Sequence, residues 1–156
     1  MRVVFLDFDG VLNSQKYIDW DVALYTSAQI DPRAVALVND LVSRSDAKVV
    51  VSSSWRLIHT DRGLSRLLGE RGFSGEIIGT TPRLHSTGLG IPRGRGDEIR
   101  AWLNEYREQV EGFVVLDDNG DEMGPVARHL ILADPACGLV DSDVERACEV
   151  ILKPAR

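Results

Sequence analysis

Short apolar segments that stop abruptly at polar residues recur along the chain. Three of them, at residues 2–6, 48–51 and 113–116, are almost entirely apolar and are followed directly by acidic or hydroxyl side chains. Strands buried on both faces of a sheet have such continuous apolar sequences, whereas half-exposed strands alternate. The pattern therefore predicts three buried strands of a parallel sheet, and shorter segments at 76–78 and 130–133 predict two more.

Residues at helical spacing separate the predicted strands. Asp31 is a suitable N-cap, Pro32 suits the first helical turn, and apolar residues then recur every three or four positions. Similar signals, with Gly72 as a helix stop, predict further helices at 61–71, 97–109, 123–129 and 141–152. For the last of these helices, Asp141 or Ser142 is the expected N-cap.

Two segments lack a clean period. Residues 13–30 predict an irregular flap, and residues 80–95 predict a loop. Gly94 and Gly96, at its end, are interpreted as loop glycines. Buried strands that alternate with helices predict an α/β fold, namely a three-layer, Rossmann-like parallel sheet with helices on both faces.

Composition narrows the class of protein. The 156 residues are 44% hydrophobic, which suits a single domain over residues 1–156. The net charge of −6 provides no sequence-wide basic surface for nucleic acid or anionic membrane, although a local basic patch is compatible with it. Two cysteines are too few for a disulfide framework or a four-ligand zinc site. Without a signal-peptide pattern or a membrane-length apolar segment, we expect a soluble, cytoplasmic protein with no membrane partner.

The polar residues that follow the three buried strands carry the candidate chemistry. They are Asp7 with Asp9, Ser52 with Ser53, and Asp117 with Asp118. In parallel sheets the ligand site lies beyond the carboxyl ends of the strands, so these side chains should meet there. Four carboxylates in one crevice repel one another unless a cation or a shared proton is present. Mg²⁺ prefers oxygen ligands and also binds substrate phosphate, so the pattern indicates a magnesium site for a phosphate ester.

Asp7 is the expected nucleophile, since an aspartyl phosphate divides one difficult displacement into two easier ones. Asp9 would protonate the leaving oxygen, provided that burial or a neighbouring charge raises its pKa.

Hydroxyl and cationic side chains should bind the phosphoryl oxygens. Ser52 is the preferred hydroxyl, with Ser53 as the alternative. Arg95 is the preferred cation because it precedes a predicted helix, Arg93 competes with it, and Arg56 could bind substrate.

The remaining candidates for chemistry have simpler interpretations. The three histidines show no metal-ligand spacing and are expected at the surface or at helix caps. Trp55 and Trp102 are expected to pack in the core or at its rim. Trp20, in the flap, would either stack on a base or hold the flap down as a hydrophobic plug.

Three segments resemble motifs of the haloacid dehalogenase (HAD) superfamily. FLDFDGVLN at residues 5–13 resembles the first motif, VVVSSSWR at 49–56 the second and VVLDD at 114–118 the fourth. The third motif, a lone Lys or Arg, is carried by position alone. The combination also resembles a small bacterial and phage branch whose relatives occur in RNA-repair proteins.

The resemblance implies a magnesium-dependent phosphatase and assigns roles to the candidate residues. Asp7 would be nucleophile and metal ligand. Asp9 would be acid and base, with its backbone carbonyl on the metal. Ser52 and Arg95 would bind phosphate, and Asp117 or Asp118 would complete the metal site.

No substantial cap domain fits within the predicted connections. An open site suits a bulky phosphorylated substrate, such as a nucleic-acid end or a phosphoprotein. The sequence leaves two other classes of function open, a receiver-like phosphoacceptor switch and a non-catalytic binding module with the same fold. The Asp-x-Asp arrangement of nucleophile and proton donor favours turnover over the switch. The binding module is disfavoured because the candidate residues Asp7, Asp9, Ser52 and Asp117-Asp118 are all intact.

Overall fold

Five parallel strands form the centre of the molecule. The computed structural model describes residues 1–85 and 93–154. The strands are β1 (Arg2–Leu6), β2 (Ala47–Val51), β3 (Ile77–Thr80), β4 (Gly112–Asp117) and β5 (Leu130–Leu132). They pair in the order β3-β2-β1-β4-β5. The chain adds strands on one side of β1 and then crosses to the other side, so a topological switch point lies between β1 and β4.

Helices cover both faces of this sheet, as the sequence predicts. They are α1 (Pro32–Ser45), α2 (Asp61–Gly69), α3 (Arg95–Glu105) and α4 (Asp141–Ile151). Val4 and Leu6 of β1 belong to the core cluster with α1, α2 and α4. Val3 and Phe5 belong to the opposite cluster with α3. Alternate side chains of one strand are thus buried in two separate layers, which gives the three-layer α/β architecture.

Helix α3 begins two residues before the predicted position and ends four residues before it. Gly94 is its N-cap and Gly96 lies in its first turn, so neither is the loop glycine that the sequence analysis expected. A Cβ on Gly96 would lie 2.6 Å from the carbonyl oxygen of Met123. The missing side chain allows the helix to begin against the backbone of residues 122–123.

Other element boundaries also differ slightly from the predictions. Val140, rather than Asp141 or Ser142, is the N-cap of α4, and Asp143 accepts a hydrogen bond from its backbone N–H. The predicted helix at 123–129 is a 3₁₀ turn, Gly124–His129. The flap at 13–30 consists of turns with one 3₁₀ turn at Ser27–Gln29. Of the predicted loop at 80–95, residues 86–92 lie outside the described residues.

The connections between strands leave little room for a second layer above the sheet. Within residues 1–85 and 93–154, no large cap is evident over the carboxyl ends of the strands. None of the helices in these two ranges has the length and apolarity that crossing a membrane requires.

Candidate active site

Backbone hydrogen bonds bring the predicted site residues side by side. The N–H of Asp7 donates to the carbonyl of Leu116, and the N–H of Ser52 donates to the carbonyl of Leu6, each over 3.0 Å. The parallel ladders therefore continue one residue beyond β1 and β2. Asp7, Ser52 and Asp117 consequently lie at one edge of the sheet, next to its switch point.

Arg95, the first residue of α3, reaches the carboxylates of two strands. Its Nη1 lies 2.6 Å from Oδ2 of Asp7 and 2.8 Å from Oδ2 of Asp117. Its predicted competitor Arg93 is exposed. The guanidinium thus lies within the site, and in this structure it binds carboxylates.

Three carboxylates form a group that could hold a metal ion. Asp7, Asp117 and Asp118 each offer one oxygen, and these oxygens all lie within 4.8 Å of one another. Hard carboxylate oxygens at this spacing fit Mg²⁺, which typically takes one or two protein carboxylates together with water and phosphate oxygens. The side chain of Asp9 does not belong to this group.

Gly10 allows Asp118 to approach the turn after β1. Its φ of +72° is a left-handed conformation that glycine adopts without steric cost, and a Cβ at this position would collide with the Asp118 carboxylate. The glycine of the first motif is therefore required by both backbone conformation and close packing.

Burial raises the proton affinity of the clustered carboxylates. It raises the pKa of Asp7 from its ordinary 3.8 to about 7, although Arg95 opposes this effect. Burial also raises the pKa of Asp117 and of Asp118, with Arg95 again opposing it. One arginine does not compensate three carboxylates, so a divalent cation would relieve this repulsion and keep Asp7 ionised.

Asp9 is held by side chains on both sides of its carboxylate. The indole N–H of Trp55 lies 3.1 Å from each of its oxygens, and Nδ2 of Asn13 donates to Oδ1 over 2.9 Å. Asn13 in turn accepts from the N–H of Gly10. Asp9 is exposed, so it lacks the burial that the sequence analysis gave as one way to make it a proton donor. Neither partner was predicted from the sequence, although Asn13 and Trp55 lie within two of the three recognised motifs.

The three consecutive serines differ in their surroundings. The side chain of Ser53 helps to lower the pKa of Asp7, and its hydroxyl accepts a hydrogen bond from the N–H of Trp55. Ser52 is fully buried, and its hydroxyl has no partner among the described residues. Ser54, which the sequence analysis overlooked, lines a cavity of about 210 Å³ together with Asp7 and Asp117. The preference for Ser52 over Ser53 stays a prediction.

Arg56 is part of the scaffold behind the serines. Its guanidinium donates to the carbonyls of Ser52 and Ser53 and binds Glu98 of α3 over 2.5 Å. It also donates to the carbonyl of Thr81. These contacts use the guanidinium within the protein, so the suggestion that Arg56 could bind substrate does not fit its position.

The aromatic and imidazole side chains also have defined positions. Trp55 and Trp102 are buried, as expected, whereas Trp20 is 76% exposed and does not plug the flap. His129 is buried against the ring of Phe113, contrary to its predicted surface or capping position.

Comparison with known families agrees with this geometry. Residues 3–144 match the model of the HAD domain in Swiss Army Knife RNA repair proteins. The chain belongs to this family. The match spans all five strands and the three recognised motifs, which places the chain in the HAD hydrolase superfamily. Searches of curated proteins and of solved structures give no match.

Proposed function

We propose that this HAD domain is a magnesium-dependent phosphatase that forms an aspartyl phosphate on Asp7. The carrying observation is the group formed by Asp7, Asp117 and Asp118, with their oxygens within 4.8 Å of one another and Arg95 beside them. Such a group suits a doubly charged cation and a phosphoryl group.

The residues of the chain divide the reaction into two steps. In the first, an oxygen of Asp7 attacks phosphorus, the bond between phosphorus and the ester oxygen breaks, and Asp9 gives its proton to the leaving oxygen. In the second, Asp9 takes a proton from water as that water attacks phosphorus, and the bond between phosphorus and the Asp7 oxygen breaks. Inorganic phosphate leaves, and both carboxylates return to their starting states.

The surrounding groups would stabilise the transferring phosphoryl group. Asp7, Asp117 or Asp118, and the backbone carbonyl of Asp9 would hold Mg²⁺, which when bound supplies positive charge near the phosphoryl oxygens. Arg95 and one or both of Ser52 and Ser53 would donate hydrogen bonds to the same oxygens. Arg56 holds the serine backbone in place through two carbonyls.

The position of Asp9 supports its assigned role. It lines the acidic cavity that contains Asp7, and it also lines a second, neighbouring cavity below the flap. A general acid must face the leaving oxygen, which departs on the side opposite the nucleophile. On this proposal Asp9 would lie between the phosphoryl site and a space for the leaving group.

The family description and the open site favour a nucleic-acid end as substrate. The matched domain is named for its occurrence in RNA repair proteins. A phosphate at the end of a polynucleotide is attached to a bulky chain. It would enter a site without a large cap more easily than a site that a cap encloses. We therefore propose a terminal phosphomonoester of a polynucleotide as the substrate class.

Phosphate release tests the proposed activity. Purified protein is assayed with p-nitrophenyl phosphate and with 3′- and 5′-phosphorylated oligonucleotides, in Mg²⁺ or EDTA. Asp7→Asn is compared with Asp61→Asn, a matched change at an exposed position of α2. We expect magnesium-dependent release that Asp7→Asn abolishes and Asp61→Asn retains. If Asp7 takes up label from a small phosphodonor without release, the chain is a phosphoacceptor switch instead.

A further inference from the structure

A second cavity adjoins the acidic one and is built largely by the flap. Its volume is about 300 Å³, at the lower end of the range for ligand pockets. Asp9 and Asp118 line both cavities. A molecule bound in the flap cavity would therefore contact the same acidic residues that face the phosphoryl site.

Three aromatic side chains form part of the wall of the flap cavity. Trp20, Tyr25 and Trp55 all line it, and Tyr25 packs edge-on against Trp55 with ring centroids 5.4 Å apart. Trp20 is 76% exposed and Leu24 is 53% exposed. Large apolar side chains left in solvent around a cavity indicate a surface that a ligand covers.

Local hydrogen bonds hold the flap in this arrangement. Nε2 of Gln29 donates to the carbonyls of Asp19 and Val22 over 2.8 and 3.0 Å. His59 hydrogen-bonds the carbonyl of Tyr25, whose φ of +57° is unusual for a residue with a side chain. The aromatic wall is thus preformed, and part of its backbone is held in an unfavourable conformation.

The wall also contains an unused acceptor. Gln29 lines the cavity, and its buried Oε1 has no hydrogen-bond partner among the described residues. The two bonds made by Nε2 fix which end of the amide is the oxygen. Because this oxygen is closed off from solvent, a ligand N–H could reach it only after a shift of the flap, and would then remove the cost of leaving it unpaired.

We propose that the flap cavity binds the terminal nucleobase of the substrate and that Trp20 determines this specificity. The inference rests on the proposed function, because it takes Asp9 as the group that protonates the leaving oxygen and the flap cavity beside Asp9 as the space for the leaving nucleoside. A nucleobase combines a planar ring for the aromatic wall with N–H donors for Gln29. The flap would then select the substrate in place of a cap domain.

Two matched substrates separate recognition of the base from hydrolysis of the phosphate. One is a short oligonucleotide with a normal terminal nucleotide that carries the phosphate, and the other has an abasic nucleotide at that position. Both are assayed in Mg²⁺ with wild type, Trp20→Ala, Trp20→Phe and Leu152→Ala. Leu152 is 63% exposed just beyond α4 and serves as the control for loss of an apolar surface side chain.

We expect Trp20→Ala to lower kcat/KM about tenfold for the base-bearing substrate, the usual order of a lost base–aromatic stack. The abasic substrate should be unaffected by this change, Trp20→Phe should retain most of the preference, and Leu152→Ala should change neither value. Equal kcat/KM for the two substrates in wild type, or an equal loss for both in Trp20→Ala, would overturn the proposal.

A binding measurement keeps this inference separate from the proposed activity. The dephosphorylated oligonucleotide is titrated into the protein while tryptophan fluorescence is followed. Quenching that requires the terminal base and is lost in Trp20→Phe supports the subsite even if no phosphate is released. Hydrolysis of both phosphorylated substrates without base-dependent quenching would support the phosphatase and refute the subsite.

Discussion

Replacing Arg56 by Met tests whether a buried ion pair supports the serine loop. Arg56 and Glu98 are only 7% and 12% exposed, and the guanidinium lies 2.5 Å from the carboxylate. The change removes this pair together with the hydrogen bonds to the carbonyls of Ser52 and Ser53. Loss of one partner leaves the Glu98 charge buried without its counter-ion, which typically costs about 3–5 kcal/mol.

The free energy of unfolding, measured in urea, gives the size of this effect. We expect Arg56→Met to lose about 3–5 kcal/mol, and the double variant with Glu98→Leu to recover part of it, because no unpaired charge then remains buried. Arg66→Met is the matched control. Arg66 is 80% exposed and pairs with Glu70 over 2.9 Å, so its removal should cost under about 1 kcal/mol.

The reasoning would be refuted if Arg56→Met and Arg66→Met were equally stable. It would also be refuted if folded Arg56→Met protein retained full phosphatase activity in urea-free buffer. The contacts of Arg56 with the serine loop would then be dispensable.

Three further changes test other parts of the site and the core. Gly10→Ala should reduce phosphatase activity about tenfold or more, because the new Cβ collides with the Asp118 carboxylate. Its side chain also strains a backbone with a left-handed φ, which costs about 1–3 kcal/mol of conformational energy. The activity of the folded variant tests this prediction. Asp118→Asn should raise the half-saturating Mg²⁺ concentration by at least about tenfold, because even changes to residues that only support a metal ligand lower metal affinity by about that factor. A magnesium titration of activity measures this value, and it would show no shift if Asp118 were not a ligand. Burial lowers the pKa of His129 in the folded protein. As the pH falls below about 6.5, the unfolded chain therefore takes up the proton more readily than the folded one, and the free energy of unfolding decreases. Urea unfolding between pH 7 and 5 should show a shallower fall in the free energy of unfolding for His129→Gln than for wild type.

The sheet and its acidic edge could be predicted because they depend on local sequence. Two continuous apolar segments are followed by Asp7 and Asp117. The apolar run predicts a buried strand, and the aspartate marks where that strand ends. The parallel arrangement then brings these residues together without further information. For this reason the predicted nucleophile and acidic pair lie within one group in the structure.

Features that depend on distant contacts could not be predicted in the same way. Helix α3 begins early because Gly96 packs on the carbonyl of Met123, which comes 27 residues later in the chain. The sequence around Arg56 shows no ion-pair partner for it, but the fold brings Glu98, 42 positions later, beside its guanidinium. The exposure of Asp9 depends on how the flap, rather than the first motif, packs around it.

The most direct test of the proposed mechanism is detection of the phosphorylated nucleophile. Asp9→Asn protein is mixed with p-nitrophenyl phosphate and Mg²⁺, quenched in acid and reduced with borohydride, which converts aspartyl phosphate to homoserine. Since p-nitrophenolate leaves without a proton but the second step lacks its base, we expect homoserine at position 7 in the peptide mass spectrum. If wild type hydrolyses the ester and position 7 remains unmodified aspartate in Asp9→Asn, Asp7 is not the nucleophile.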